Sequence, residues 1–209
     1  IPPYWVGLEN YRALFDDPLF WTAWKNSAYF TGLALVFGFA LPFVIAVLLN
    51  EFRHLTGFFR VLVYLPVMLP PVVSVLWRYF YDPGQGLFNA ILGGLSLPTS
   101  QWVQGSSTAM ISLVLVSTWA NMGGATLMYL AALQGIPGDL YEAAELDGAS
   151  VWQRLKHVTV PQMRFIMLVL LLLQIIATMQ VFIEPFLLTG TSSPDTVTVM
   201  VLVYRYAFT

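Results

Sequence analysis

The sequence predicts an all-α protein that crosses a membrane several times. The chain has 209 residues, of which 58% are hydrophobic and only 10% charged. Ordinary soluble domains carry about 25% charged residues. The mean hydropathy is +0.73. The apolar residues gather into stretches of about twenty or more, the length a helix needs to cross hydrocarbon. Cysteine is absent, so there is no disulfide framework and no thiolate metal site. A net charge of −2 gives no reason to expect nucleic-acid binding.

Residues 1–26 are mixed and read as an interfacial segment. Asp17-Pro18 can start a short helix, and Trp21, Trp24 and Tyr29 suit a membrane interface. The start has no Met and no basic region followed by an apolar one, so it does not read as a signal peptide. A first span is predicted over 27–50, with Gly32, Gly38 and Pro42 tolerated inside it. A short link over 51–60 carries Arg53, His54 and Arg60. A second span over 61–80 contains Pro66, Pro70 and Pro71, which delete backbone donors and predict a kink. Residues 81–107 read as a polar loop without Lys or Arg. A third span covers 108–134, a polar link 135–164, a fourth span 165–188, and a turn-rich link 189–195. Residues 196–209 are apolar but too short to cross, and read as the opening of a fifth helix. The whole chain is expected to form one transmembrane domain. The links at 51–60 and 135–164 hold Arg53, Arg60, Arg154, Lys156 and Arg164; the other side holds Arg12, Lys25, Arg78 and Arg205. Five against four barely supports the positive-inside rule; the cytoplasmic placing of both links leans on a family resemblance carried by the second of them.

The 135–164 link has an internal logic. Pro137 suits a first helical turn, and Asp139 and Glu142 follow near the positive end of the helix dipole. Leu140, Tyr141 and Ala144 share a face, and the small Ala143 and Ala144 allow close approach of a partner. Gly148 fits the left-handed position that ends a helix. Ser150 and Gln153 match a capping box that opens a second short helix, expected to run to His157. Pro161 is expected to stop it before the next span.

Glu142-Ala143-Ala144, three residues, Gly148, nine residues, Val158, one residue, then Val160-Pro161 resembles the EAA loop of ABC importer membrane subunits. That loop reads E-A-A-x3-G-x9-I-x-L-P; Val here replaces Ile and Leu. The resemblance extends over essentially the whole chain. Gly7-Leu8-Glu9-Asn10-Tyr11, the 130–137 run, Gln180-Val181-Phe182 with Leu188-Thr189, and Tyr204-Arg205-Tyr206-Ala207-Phe208 are similar to the first permease subunit of carbohydrate importers of the maltose-permease type. The resemblance implies a type I ABC importer permease core of six helices, so the full protein is expected to be longer at both ends. It also implies the partners: a second permease subunit, a dimer of ATPase subunits that binds ATP and Mg, an extracytoplasmic substrate-binding protein, and a carbohydrate cargo. Glu142, Ala143, Ala144 and Gly148 would sit in the ATPase cleft, with Trp152 and Pro161 supporting the loop.

No residue pattern for ATP hydrolysis is present. The only lysines are Lys25 and Lys156, and neither follows Gly as a phosphate-binding loop requires. The only histidines, His54 and His157, read as loop residues at the membrane surface. No zinc-protease or Ser-His-Asp pattern suggests an enzyme. The chain itself is expected to need no cofactor and no metal.

Polar groups at mid-membrane are costly and tend to face a cavity or another helix. Asn121 in the third span and Gln174 in the fourth are therefore candidates to line a path. Trp119, Tyr129, Thr178 and Gln180 are secondary ones, since sugars want neutral hydrogen-bonders beside aromatic faces. Interhelical hydrogen bonding accounts equally for Asn121 and Gln174. Gly123-Gly124 is either a close-packing site or a hinge. Glu184 is expected at the outer interface, touching water or a binding protein. An importer of another solute, such as a phosphorylated polyol or a peptide, would share the EAA loop; a phosphate cargo would call for a cation facing the path, and only Arg78 is near a span. An ion-coupled transporter would need charged residues buried mid-span, and the spans nearly lack them.

Overall fold

The computed structural model describes residues 5–51 and 56–208. Arg53 and His54 lie outside the described residues, as does the side chain of Arg60. Helix α1 spans Glu9–Asp16 and follows a turn at Gly7, whose φ is +60°. Helix α2 spans Pro18–Glu51. Asp17 caps it, its carboxylate accepting from the Leu19 N–H at 2.8 Å. The first span thus starts nine residues earlier than the expected 27–50. Its 34 residues are about 51 Å long at ~1.5 Å per residue, well beyond the ~30 Å of hydrocarbon.

The second span is two helices. Helix α3 covers Thr56–Met68 and α4 covers Pro70–Phe80. Consecutive prolines at 70 and 71 remove two successive donors, so the helix is interrupted rather than kinked. The Leu69 N–H turns back to the Pro66 carbonyl at 3.3 Å. The expected loop over 81–107 contains helix α5, Leu87–Gly94, and a 3₁₀ turn at Trp102–Gln104. Helix α6, Ala109–Gln134, agrees with the third span. Helices α7, Gly138–Leu146, and α8, Val151–Arg154, occupy the polar link.

A π-helical turn over Leu155–Thr159 then runs straight into α9, Val160–Met179. Pro161 therefore lies in the first turn of α9 and does not stop a helix. The Val160 N–H bonds to the Leu155 carbonyl in the wider turn, which relieves the clash a proline ring makes with a normal α-turn. Helix α9 ends at Met179 inside the expected 165–188 span, while the apolar stretch that counts as a candidate span continues to Leu188. Residues 180–182 break the helix, and α10, Ile183–Leu188, is separate. The carbonyl of Val181, freed by this break, accepts from Thr198 Oγ1 at 2.9 Å. Helix α11 spans Val199–Phe208. Among the described residues, three helical stretches are long and apolar enough to cross a membrane, or four if α3 and α4 together count as one broken span.

The described chain forms two compact units. The first takes residues to 33, 74–116 and 177–209. Its core includes Ala23, Val197, Val201 and Leu202. Asn26 Nδ2 donates to the carbonyls of Pro194 and Val197, both at 2.9 Å, and Ser27 Oγ accepts from the Val199 N–H at 3.0 Å. These bonds anchor the irregular 189–198 segment on α2. Glu184 is buried in α10, not exposed at an interface as the sequence suggested; a helix of six residues turned inward could not be foreseen inside an apolar run.

The second unit takes residues 34–73 and 117–176. Ala46, Leu49, Leu130, Leu133, Met163 and Leu170 make its core with Tyr129. Gly123 fixes one close approach. A Cβ there would lie 2.5 Å from the Val63 carbonyl oxygen and 2.8 Å from Val67 Cγ2, whereas Gly124 has open space around it. The glycine pair is thus a packing site of α6 on α3, carried by its first member.

Candidate functional site: the 138–161 element

The polar link folds as two short helices tied tightly to each other. Helix α7 ends in a Schellman turn. The Ala149 N–H bonds to the Ala144 carbonyl at 2.9 Å and the Gly148 N–H to the Glu145 carbonyl at 3.0 Å. Gly148 has φ +77°, the left-handed conformation that glycine adopts without penalty. Ser150 then opens α8 with a complete capping box. Its N–H donates to Gln153 Oε1 at 2.7 Å, and its Oγ accepts from the Gln153 N–H at 3.4 Å.

Two side-chain ties cross the turn. Glu145 pairs with Arg154, and the hydroxyls of Tyr141 and Thr159 meet at 3.0 Å. Thr159 is buried and Tyr141 half-buried. The inner face of α7 is therefore Tyr141 with Ala144. His157 Nδ1 lies 3.0 Å from the Gln153 carbonyl, in keeping with a surface role.

The outer face is Glu142, Ala143 and Gly148, all exposed. Leu146 is 89% exposed and Trp152 71%. Trp152, which the resemblance implied supports the loop, projects outward. Leu146 and Val151, also exposed, were missed by sequence reasoning. The signal was present, because both flank Gly148, but an apolar residue beside a turn is ordinarily assumed to be buried. A polar link presenting Leu146, Val151 and Trp152 around a small-residue surface has the composition of a protein-docking patch.

The expected path residues occupy different environments. Tyr129 is buried in the second unit, its ring covered by Phe39 and Phe43 with centroids at 6.4 and 5.5 Å. Gln174 Nε2 donates to the Ala34 carbonyl of α2 at 2.8 Å. Gly38 makes room for this bond, since a Cβ there would lie 2.5 Å from the same nitrogen. Gln174 is thus an interhelical hydrogen-bonder. Asn121 is exposed and its amide donates to the Ser117 carbonyl of its own helix at 2.8 Å. Trp119 and Thr178 are half-buried, and Gln180 is exposed in the turn after α9 rather than on a helix. Among the described residues, no group of three His, Asp or Glu could hold a metal ion.

Comparison with known proteins fits this architecture. The family model described as binding-protein-dependent transport system inner membrane component matches residues 38–208. The chain is 35% identical to the probable ABC transporter permease protein YurN of Bacillus subtilis (strain 168), over 98% of this chain and 72% of that one. It is 34% identical to the trehalose/maltose transport system permease protein MalF of Thermococcus litoralis, over 88% of this chain and 63% of that one. A solved bacterial alginate ABC transporter in complex with an alginate pentasaccharide-bound periplasmic protein superposes with a TM-score of 0.86. It is 28% identical, over 97% of this chain and 72% of that one. From the 138–161 element, the apolar helices and these matches, the chain belongs to the family of binding-protein-dependent transport system inner membrane components.

Proposed function

We propose that this chain is the membrane-spanning permease subunit of an ATP-driven, binding-protein-dependent sugar importer. The observation that carries the proposal is the 138–161 element. It is locked internally by the Schellman turn, the capping box and the Glu145–Arg154 pair. It is continuous with α9 and joined to α6 by only three residues, 135–137. A rigid element attached to a helix at each end passes a displacement to both.

The element docks on a partner ATPase on the cytoplasmic side. Glu142, Ala143 and Gly148 lie at the contact, with Leu146 and Trp152 as apolar anchors and Pro161 at the entry to α9. ATP and Mg are bound by that partner. Closure of the ATPase pair drags the element and shifts the permease pair between inward- and outward-facing states. The shift requires ATP to bind one state much more tightly, about 10⁴-fold to move a 1:99 population to 99:1.

Sugar as cargo is supported by the similarity to the trehalose/maltose and alginate transport proteins. The alginate complex also supports a periplasmic binding protein as the delivering partner. Asn121, exposed on α6, remains our candidate to meet a neutral hydroxylated cargo. The test is ATP-dependent uptake by the full-length chain, co-reconstituted with its ATPase, second permease and binding protein. Uptake of a labelled oligosaccharide, but not of a peptide, is expected. Peptide uptake alone would overturn the sugar assignment while leaving the permease assignment standing.

A further inference from the structure

Helix α5 sits between the end of α4 at Phe80 and the start of α6 at Ala109, so connectivity places it between the bent α3–α4 pair and a helix long enough to cross a membrane. Its inner face is firmly packed. The Phe88 ring lies 5.4 Å from those of both Trp77 and Tyr81, and 5.5 Å from Trp102. Its outer face is apolar. Leu87, Ile91 and Leu95 recur at one-turn spacing and are 42, 50 and 66% exposed.

Two further features bear on what covers that ridge. No Asp, Glu, Lys, Arg or His occurs between Asp82 and Asp139. The segment also satisfies its own irregular backbone. Asn89 Nδ2 donates to the carbonyls of Pro83 at 3.0 Å and Ser100 at 2.8 Å. Asn89 Oδ1 accepts from the Ser100 N–H at 3.0 Å and Trp102 Nε1 at 2.9 Å. All four hydrogen-bonding positions of one buried carboxamide are thereby used. The end of α5 is closed as well: the Leu97 N–H reaches the Leu92 carbonyl at 2.9 Å around Ser96, which has φ +56°. A loop bathed in water has no need of such closure, because water satisfies its backbone. A segment lying against lipid must satisfy its polar groups internally.

We propose that α5 is an interfacial helix whose Leu87–Ile91–Leu95 ridge is seated in the boundary between headgroups and acyl chains of the bilayer. The ridge continues the apolar surface of the adjacent spans, with Trp102 and Tyr79 at belt depth. It holds the 81–107 segment flat at the membrane surface. The inference rests on membrane insertion and not on the sugar assignment.

No cysteine occurs in these 209 residues, so Ile91→Cys introduces a thiol unique within them, and any cysteine elsewhere in the full-length chain is first replaced by serine. The full-length chain carrying it is labelled with bimane and placed in nanodiscs of plain or acyl-brominated phosphatidylcholine. Leu95→Cys provides a second site, and Asp147→Cys, exposed on the 138–161 element, an aqueous reference. The expected result is blue-shifted emission at 91 and 95, quenched several-fold by brominated lipid and shielded from iodide, with the reverse at 147. Iodide quenching at 91 and 95 equal to that at 147 would place the ridge in water and overturn the proposal. Shielding from iodide without bromolipid quenching would mean that a protein covers it, which overturns the proposal equally.

Discussion

Gly148 permits a separation of turn geometry from docking. Its φ of +77° costs an L-residue about 1–2 kcal/mol. Nothing lies within 4 Å of a Cβ built at this position. Gly148→Ala and Gly148→Trp therefore carry the same backbone penalty of about 1–2 kcal/mol, which disfavours the Schellman turn by roughly 5–30-fold. Both variants should insert and melt alike, with equally increased amide exchange over 144–150. Where they do, a difference between them in transport comes from a surface outside the chain. The assay is ATP-dependent uptake together with retention of the ATPase on affinity-purified complex. Gly148→Ala is expected to keep partial uptake and most of the ATPase, and Gly148→Trp to lose both. Equal uptake by the two variants would refute the assignment of Gly148 to a docking contact.

Other expectations rest on the packing. Ser150→Ala removes the capping box and should cost about 1 kcal/mol locally, read as faster exchange at 151–154 with the spans unchanged. Gly38→Ala should push Gln174 off the Ala34 carbonyl and lower the melting temperature. Adding Gln174→Ala should recover part of the loss, a non-additivity measured by a double-mutant cycle. Gly123→Ala meets the Val63 carbonyl, which is backbone and cannot swing aside. It should therefore destabilise by about 1–3 kcal/mol as overpacking, while Gly124→Ala should be neutral or slightly stabilising in thermal melts. Asn89→Ala strands several buried polar groups at about 1–3 kcal/mol each, and should raise protease sensitivity over 81–107.

What the sequence made legible was local chemistry. The left-handed Gly148, the Ser150–Gln153 box and the α6 span depend on residues within one or two turns of each other, and each lies where expected. The misses depend on contacts made across the fold. Helix α9 ends at Met179 without a Gly or Pro to signal it, because Thr198 supplies a hydrogen bond to the Val181 carbonyl from seventeen residues away. Helix α5 escaped notice because its flanking glycines, prolines and serines suggest a loop. The stabilising Asn89 bonds reach Ser100 and Trp102 and carry no periodic pattern. Path residues were the least legible. Gln174 and Tyr129 stand at mid-span as a path residue would, yet a neighbouring glycine and two phenylalanines turn them to packing.

The 138–161 element is proposed to be a docking surface for an ATPase. The most direct measurement is co-purification of the tagged full-length chain from its native membrane, with and without Gly148→Trp. Stoichiometric recovery of an ATPase subunit and a second permease is expected with the unaltered chain, and selective loss of the ATPase from the variant. Recovery of the unaltered chain alone or as a homo-oligomer, under conditions that keep other importers intact, would contradict it.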